Sequence, residues 1–131
     1  MSFMKMKTNF NTGYIDYTIE QGIIIASYKN GVHINLDIAK EIVEARIRFS
    51  DKKSYPVLIN SQGVVSMDKA ARDYFSSEQG IRGLKAAAIV VNSPFSSFLG
   101  NFFLWVNRTR LPVKIFTNHQ AAFEWLGQFL S

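Results

Sequence analysis

The sequence predicts an α/β domain with a single mixed, mainly parallel sheet of five strands, opened by an N-terminal hairpin and covered by about four helices. Three observations carry this. Short β-like runs alternate with amphipathic helical stretches along most of the chain. Leu84 to Val91 reads, Lys85 apart, as a run of small apolar residues, as expected of a strand buried on both faces. An alternating segment near the start and a second strand-like run are joined by the tight pair Gln21-Gly22.

Taken in order, Tyr14 to Glu20 alternates apolar and polar residues, and Ile23 to Lys29 returns as its hairpin partner. Gly22 supplies a residue that takes positive φ without strain. Asn35 stands where a helix cap is expected, before Leu36 to about Phe49. At 100° per residue, Leu36, Ile38, Ala39, Ile42, Val43, Ile47 and Phe49 share one half of that helix. Arg46 falls in the same apolar half and is its one charged member. Tyr55 to Asn60 reads as a short buried strand, whereas Val64 to Met67 fits no single template. Asp68 to Ser77 reads as a helix with Ala70, Ala71, Tyr74 and Phe75 inward. Pro94 suits the first turn of a helix whose stripe is Phe95, Phe98, Leu99, Phe102 and Val106. Pro112 to Phe116 is the last strand, and Thr117-x-x-Gln120 has capping-box spacing for a final helix to Leu130. The order is ββαβαβαβα.

With 131 residues the chain is expected to form one domain over 13–131, preceded by a flexible leader over 1–12. Apolar residues make up 47% and charged residues 19%, which argues against disorder. There is no cysteine, so disulfides, thiolate catalysis and cysteine metal sites are excluded. The N-terminal segment has lysines but no apolar core run, so it does not read as a secretory signal, and a cytoplasmic location is expected. The net charge of +5 is spread in part over Lys5, Lys7, Lys52 and Lys53, without the aromatic interleaving of a nucleic-acid face. Ala86 to Asn107 is uncharged, but Asn92-Ser93-Pro94 divides it, and neither part approaches the ~20 apolar residues of a membrane span.

Catalytic signatures are missing: there is no G-x-G-x-x-G, P-loop or G-x-S-x-G elbow. His33 and His119 have no carboxylates placed to complete a metal site, so neither metal nor cofactor is expected and an enzyme is disfavoured. One pattern rises above this background. Three strands end in small polar residues, Asn60-Ser61, Asn92-Ser93 and Thr117, which a parallel sheet aligns along one edge beside helix N-termini. With Arg72 these make candidates for binding a small anionic ligand. Arg46 and Arg72 could equally lay their stems on apolar surface and keep their heads in water. On the Phe95 to Asn107 helix, Phe103 and Trp105 border the core stripe and Leu104 lies nearly opposite it. A flank of that kind marks a partner surface, most simply that of a homodimer, or else a wide core stripe covered by Phe123, Trp125 and Phe129 of the last helix.

The helix segment Ala39-Lys40-Glu41-Ile42-Val43-Glu44-Ala45-Arg46, the strand Pro56-Val57-Leu58-Ile59-Asn60, Ala71-Arg72-Asp73-Tyr74, and Lys114-Ile115-Phe116-Thr117 with Ala122-Phe123-Glu124-Trp125-Leu126 together resemble the SpoIIAA-like proteins of the STAS superfamily. The likeness runs from Tyr14 to Leu130 and is greatest to small stand-alone bacterial members without assigned activity. It implies one mixed sheet wrapped by helices, and a non-enzymatic binding or regulatory role, with a protein partner among the options. In the anti-anti-sigma members an Asp-Ser pair opens a helix and the serine is phosphorylated. By position, Asp68 matches that aspartate and Lys69 falls where the serine would be, leaving Ser66 as the nearest hydroxyl. The phosphoserine is therefore absent from its expected place. The alternative reading is a small enzyme or sensor for an anionic metabolite at the C-terminal edge of the sheet.

Overall fold

Eight strands and three α-helices lie among the residues described by the computed structural model, 9–93 and 109–130. Six strands form one sheet in the order β1-β2-β3-β5-β7-β8, where β1 is Asn9–Asn11, β2 Ile15–Glu20, β3 Ile23–Tyr28, β5 Tyr55–Asn60, β7 Leu84–Val90 and β8 Val113–Phe116. The first two pairings are antiparallel and the next three are parallel. The sheet is thus mixed and mainly parallel, as expected, with six strands in place of five. The added strand is Asn9–Asn11, from the segment read as leader; it pairs with β2.

The hairpin forms where the sequence places it. Glu20 pairs with Ile23, and Gln21 and Gly22 both have positive φ, 52° and 83°. That combination defines the type I′ turn, whose twist matches the flanking strands. Two elements were not legible. Val32–Ile34 (β4) and Val64–Met67 (β6) pair in parallel as a separate two-stranded sheet.

Helix α1, Leu36–Phe49, is capped by Asn35, whose side chain accepts from the Ile38 N–H at 2.9 Å. Helix α2 is shorter than expected, Lys69–Phe75, because Asp68 is its cap and accepts from the Ala71 N–H at 3.0 Å. Ala70 points outward, and only Ala71 of that helix is fully buried. Helix α3, His119–Leu126, is capped by Asn118 and not by Thr117: the Asn118 side chain accepts from Ala121 N–H at 2.8 Å. It runs on into a 3-10 turn over Gly127–Phe129 instead of continuing to Leu130. The described residues therefore hold three α-helices. The fourth expected helix, Phe95 to Asn107, lies outside them.

Strand alternation sorts the core into two layers. On one face of the sheet, Ile15, Tyr17, Ile24, Ala26 and Val57 pack against Ile42, Ala45 and Phe49 of α1. On the other, Ile23, Ile25, Leu58, Ala86, Ala88 and Val90 pack against Ala122 and Leu126 of α3. The alanines of β7 bring that helix close, and helix α3 lies over β7. The small sheet β4–β6 joins α1 and α2 on the first face, where Val32, Ile34, Ala39, Val64 and Ala71 form a further cluster.

Candidate functional site

Between the sheet and the α1–α2 layer the packing is incomplete and leaves a cavity of about 50 Å3. Its floor is made by Ile15 and Tyr17 of β2, Ala26 and Tyr28 of β3, and Val57 and Ile59 of β5. Ile42 and Arg46 of α1, Arg72 and Phe75 of α2, Met67, Gly80 and Leu84 complete the wall. The lining is apolar apart from two tyrosines and two arginines, and it contains no carboxylate. Ile15, Tyr17, Ala26, Ile42, Arg46 and Val57 are buried, whereas Tyr28, Ile59, Met67, Arg72, Phe75 and Leu84 keep some exposure.

Arg46 is the unusual member. Its place in the apolar half of α1 carries it inward, and it is only 8% exposed. It does not snorkel. Its Nη2 donates to the carbonyl oxygens of Gly80 at 3.1 Å and Arg82 at 2.7 Å, fixing the 80–82 loop to the helix. No carboxylate pairs with it among the described residues. Burial of an unpaired guanidinium is unfavourable, since neutral carbonyls return only part of the lost hydration. Accordingly, burial pushes the Arg46 pKa down, an effect opposed by Tyr17, Tyr28 and Tyr74.

The tyrosines do not supply the missing negative charge. The Tyr17 hydroxyl donates to Ile42 O at 2.9 Å, and burial raises its pKa well above the usual tyrosine range, with Tyr28 adding to the rise and Arg46 opposing it. Burial likewise raises the Tyr28 pKa against the pull of Arg46. Both stay neutral at ordinary pH. The site therefore presents one fixed buried cation, a second arginine on the wall, and apolar surface.

Gly80 is required where it stands. A Cβ there would lie 2.1 Å from Tyr74 O, so the backbone of α2 passes too close for any side chain. Its φ is not positive; space is the constraint.

The sequence-derived candidates fall in three places. Asn60 ends β5, and Asn92 and Thr117 follow the C-terminal ends of β7 and β8; the three strands are adjacent and parallel, so the predicted edge exists. Two of its groups are already engaged. The Ser61 hydroxyl is buried and donates to Val90 O at 2.8 Å, and Asn60 Oδ1 accepts from Gln62 N–H at 3.3 Å. Ser93 is partly buried beside exposed Asn92. Arg72 is not at this edge: it lines the cavity with Arg46. In the switch region Asp68 is a helix cap, Lys69 pairs with Asp73 at 2.8 Å, and exposed Ser66 lies 2.7 Å from His33 Nδ1. Phe103, Leu104 and Trp105 lie outside the described residues. Among the described residues no three His, Asp or Glu side chains gather into a metal site, and no helix is long and apolar enough to cross a membrane.

Sequence reasoning singled out Arg46 but not the cavity it faces. The available signal was an arginine on the apolar face of α1 opposite two strands that place tyrosines on their inward side.

No curated protein matches the chain. Among solved structures it is similar to an uncharacterised protein of the DUF3478 family, with a SpoIIAA-like fold, from Shewanella loihica PV-4. The TM-score is 0.60 at 12% identity, over 89% of this chain and 98% of the other, so the likeness is one of fold. It bears out the resemblance carried by the strand and helix segments. A family model described as a domain of unknown function, DUF7793, matches residues 17–130, and the chain belongs to that family.

Proposed function

We propose that this protein is a non-enzymatic binding domain with a regulatory role, and that the cavity under α1 and α2 is where it takes its ligand. One observation carries the reading: an apolar cavity has, in its wall, a buried arginine that no carboxylate among the described residues neutralises. Ligand sites are commonly apolar hollows with a few convergent polar groups, which describes this one. The SpoIIAA-like fold supports the choice of binding over turnover only by analogy. Occupancy would stabilise the contact between α1, α2 and the 80–82 loop, giving a route from ligand to surface. The route does not depend on a phosphoserine, since Lys69 occupies the expected place.

The strand-end reading, with an anionic metabolite held by Asn60, Ser61, Asn92, Ser93 and Thr117, is less well supported because the Ser61 hydroxyl is committed to Val90. A cytoplasmic homodimer through Phe103, Leu104 and Trp105 belongs to the same proposal. A monomer by light scattering at the highest attainable concentration overturns that part.

A thermal-shift panel of small organic acids, amides and phosphates tests the binding site. A ligand selective for the folded state raises the melting temperature with concentration. Ala26→Leu, which fills the floor of the cavity, should abolish the shift. A flat panel, or a shift that survives Ala26→Leu unchanged, overturns the reading.

A further inference from the structure

We propose that the end of the sheet at which its parallel strands begin is a docking surface for an extended, acidic polypeptide segment. The proposal goes beyond the cavity reading and rests on a different observation.

The fold gathers cations at that end. Arg48 stands in the last turn of α1, Lys52 and Lys53 in the loop that leads into β5, Arg82 in the loop that leads into β7, and Arg110 just before β8. Main-chain contacts hold these approaches side by side: Tyr55 N–H donates to Gly83 O at 2.9 Å, and Ala87 N–H to Pro112 O at 3.0 Å. All five residues are exposed. The two ion pairs among the described residues, Lys29 with Asp16 and Lys69 with Asp73, lie elsewhere. Asp51 and Glu78 stand in the same loops, and Glu44 one turn before Arg48, yet none of them pairs with these cations. Like charges gathered in this way repel one another, and a negative partner relieves the repulsion. The surface also borders the cavity wall, because Arg82 O accepts from Arg46 Nη2.

The kind of partner follows from the same residues. A phosphate backbone or a sheet of lipid headgroups is negative throughout and would press on Glu44, Asp51 and Glu78 as well as on the cations. A polypeptide can set acidic residues opposite the cations and neutral ones opposite the carboxylates. β5, β7 and β8 are neighbours in the sheet, so with about 4.8 Å between strands their leading loops spread over about 10 Å. Alternate side chains of an extended segment lie about 6.7 Å apart on one face, which suits acids at every second position.

A fluorescein-labelled Glu-Ser repeat peptide is the probe, with a Gln-Ser repeat as its neutral counterpart, both titrated into the full chain and followed by anisotropy at low salt. The Glu peptide should bind at least about tenfold tighter, and the difference should vanish near 1 M salt, where the Debye length is about 3 Å. Lys53→Glu and Arg82→Glu should each weaken it about fivefold or more, since each turns an attraction into a repulsion. Lys40→Glu, the same charge change near the start of α1, should weaken it less than about twofold because it lies beyond a Debye length of this end. Equal binding of the two peptides overturns the proposal. So does an equal loss in Lys40→Glu and Lys53→Glu, which would reflect net charge alone. Tighter binding of an oligothymidylate of equal charge, or of vesicles of phosphatidylcholine and phosphatidylglycerol in equal parts, overturns the polypeptide assignment. The wild-type arms decide the matter even if a variant does not fold, and their failure leaves the cavity reading intact.

Discussion

Replacing Gly80 by alanine tests how tightly the wall of the cavity is built. The new Cβ would sit 2.1 Å from Tyr74 O and 2.8 Å from Phe75 Cα, both backbone atoms at the end of α2. Neither can rotate away, so the 80–82 loop must move. Forcing a methyl into packed structure costs about 1–3 kcal/mol. The movement also pulls the Gly80 carbonyl from Arg46 Nη2, now at 3.1 Å. A hydrogen bond to a charged group contributes about 1.5–3 kcal/mol, and Arg82 O, at 2.7 Å, retains part of it. Together the expected loss is about 3 kcal/mol, a sizeable share of the 5–15 kcal/mol typical of a domain. For a chain of this length that lowers Tm by roughly 10 °C. Urea unfolding followed by far-UV circular dichroism measures it, with Gly63→Ala as comparator. A Cβ at Gly63 meets Lys29 O at 2.1 Å, a similar clash without a hydrogen bond from Arg46. A Gly80→Ala loss below about 1 kcal/mol would refute the close approach of α2 to the loop. A second check is coupling: Gly80→Ala and Arg46→Met should be non-additive by more than about 0.5 kcal/mol, since they share one contact.

Other consequences are equally direct. Tyr17 and Tyr28 have raised pKa values in the folded protein. Their contribution to stability is therefore full below about pH 10, where the unfolded chain begins to ionise, and is lost as pH rises further. Absorbance at 295 nm should show part of the tyrosinate signal appearing only together with unfolding; ionisation of every tyrosine in the folded state would contradict this. Asp68→Ala removes the cap of α2 and should destabilise by about 1 kcal/mol in denaturant titration, with Asp68→Asn largely restoring it. Gly127 has φ −56° and open space around its Cβ position, so Gly127→Ala should stabilise by about 0.4–1 kcal/mol; a loss in the same titration would contradict that geometry.

The parts of the fold that were legible are those dictated by local pattern. Alternation from Ile15 to Glu20, the Gln21-Gly22 pair and the Asn35 cap each specify their conformation within a few residues. The parts that were not depend on distant partners. Val32–Ile34 is a strand only because Val64–Met67 lies beside it, and three residues carry no period of their own. At the last helix, adjacent Thr117 and Asn118 compete for one cap, and the asparagine, the stronger capping residue, takes it. Ser61 illustrates a related limit at the candidate site. A serine closing a strand looks like a ligand donor in sequence, yet here its hydroxyl is sealed against Val90 O. Arg46 was legible as an anomaly, but the sequence reading weighed a ligand clamp against a head kept in water. Burial prevails because α1 lies flat on the sheet and the carbonyls of Gly80 and Arg82, more than thirty residues away, receive the guanidinium.

The most direct test of the central claim is a proton–nitrogen NMR titration of the wild-type protein with the compound that gives the largest shift in the thermal panel. The amide signals of Tyr17, Ala26, Arg46 and Val57 should move together and saturate at one affinity, because all four residues line the cavity. Signals that move only at Asn60, Asn92 and Thr117, or nowhere, would contradict the account.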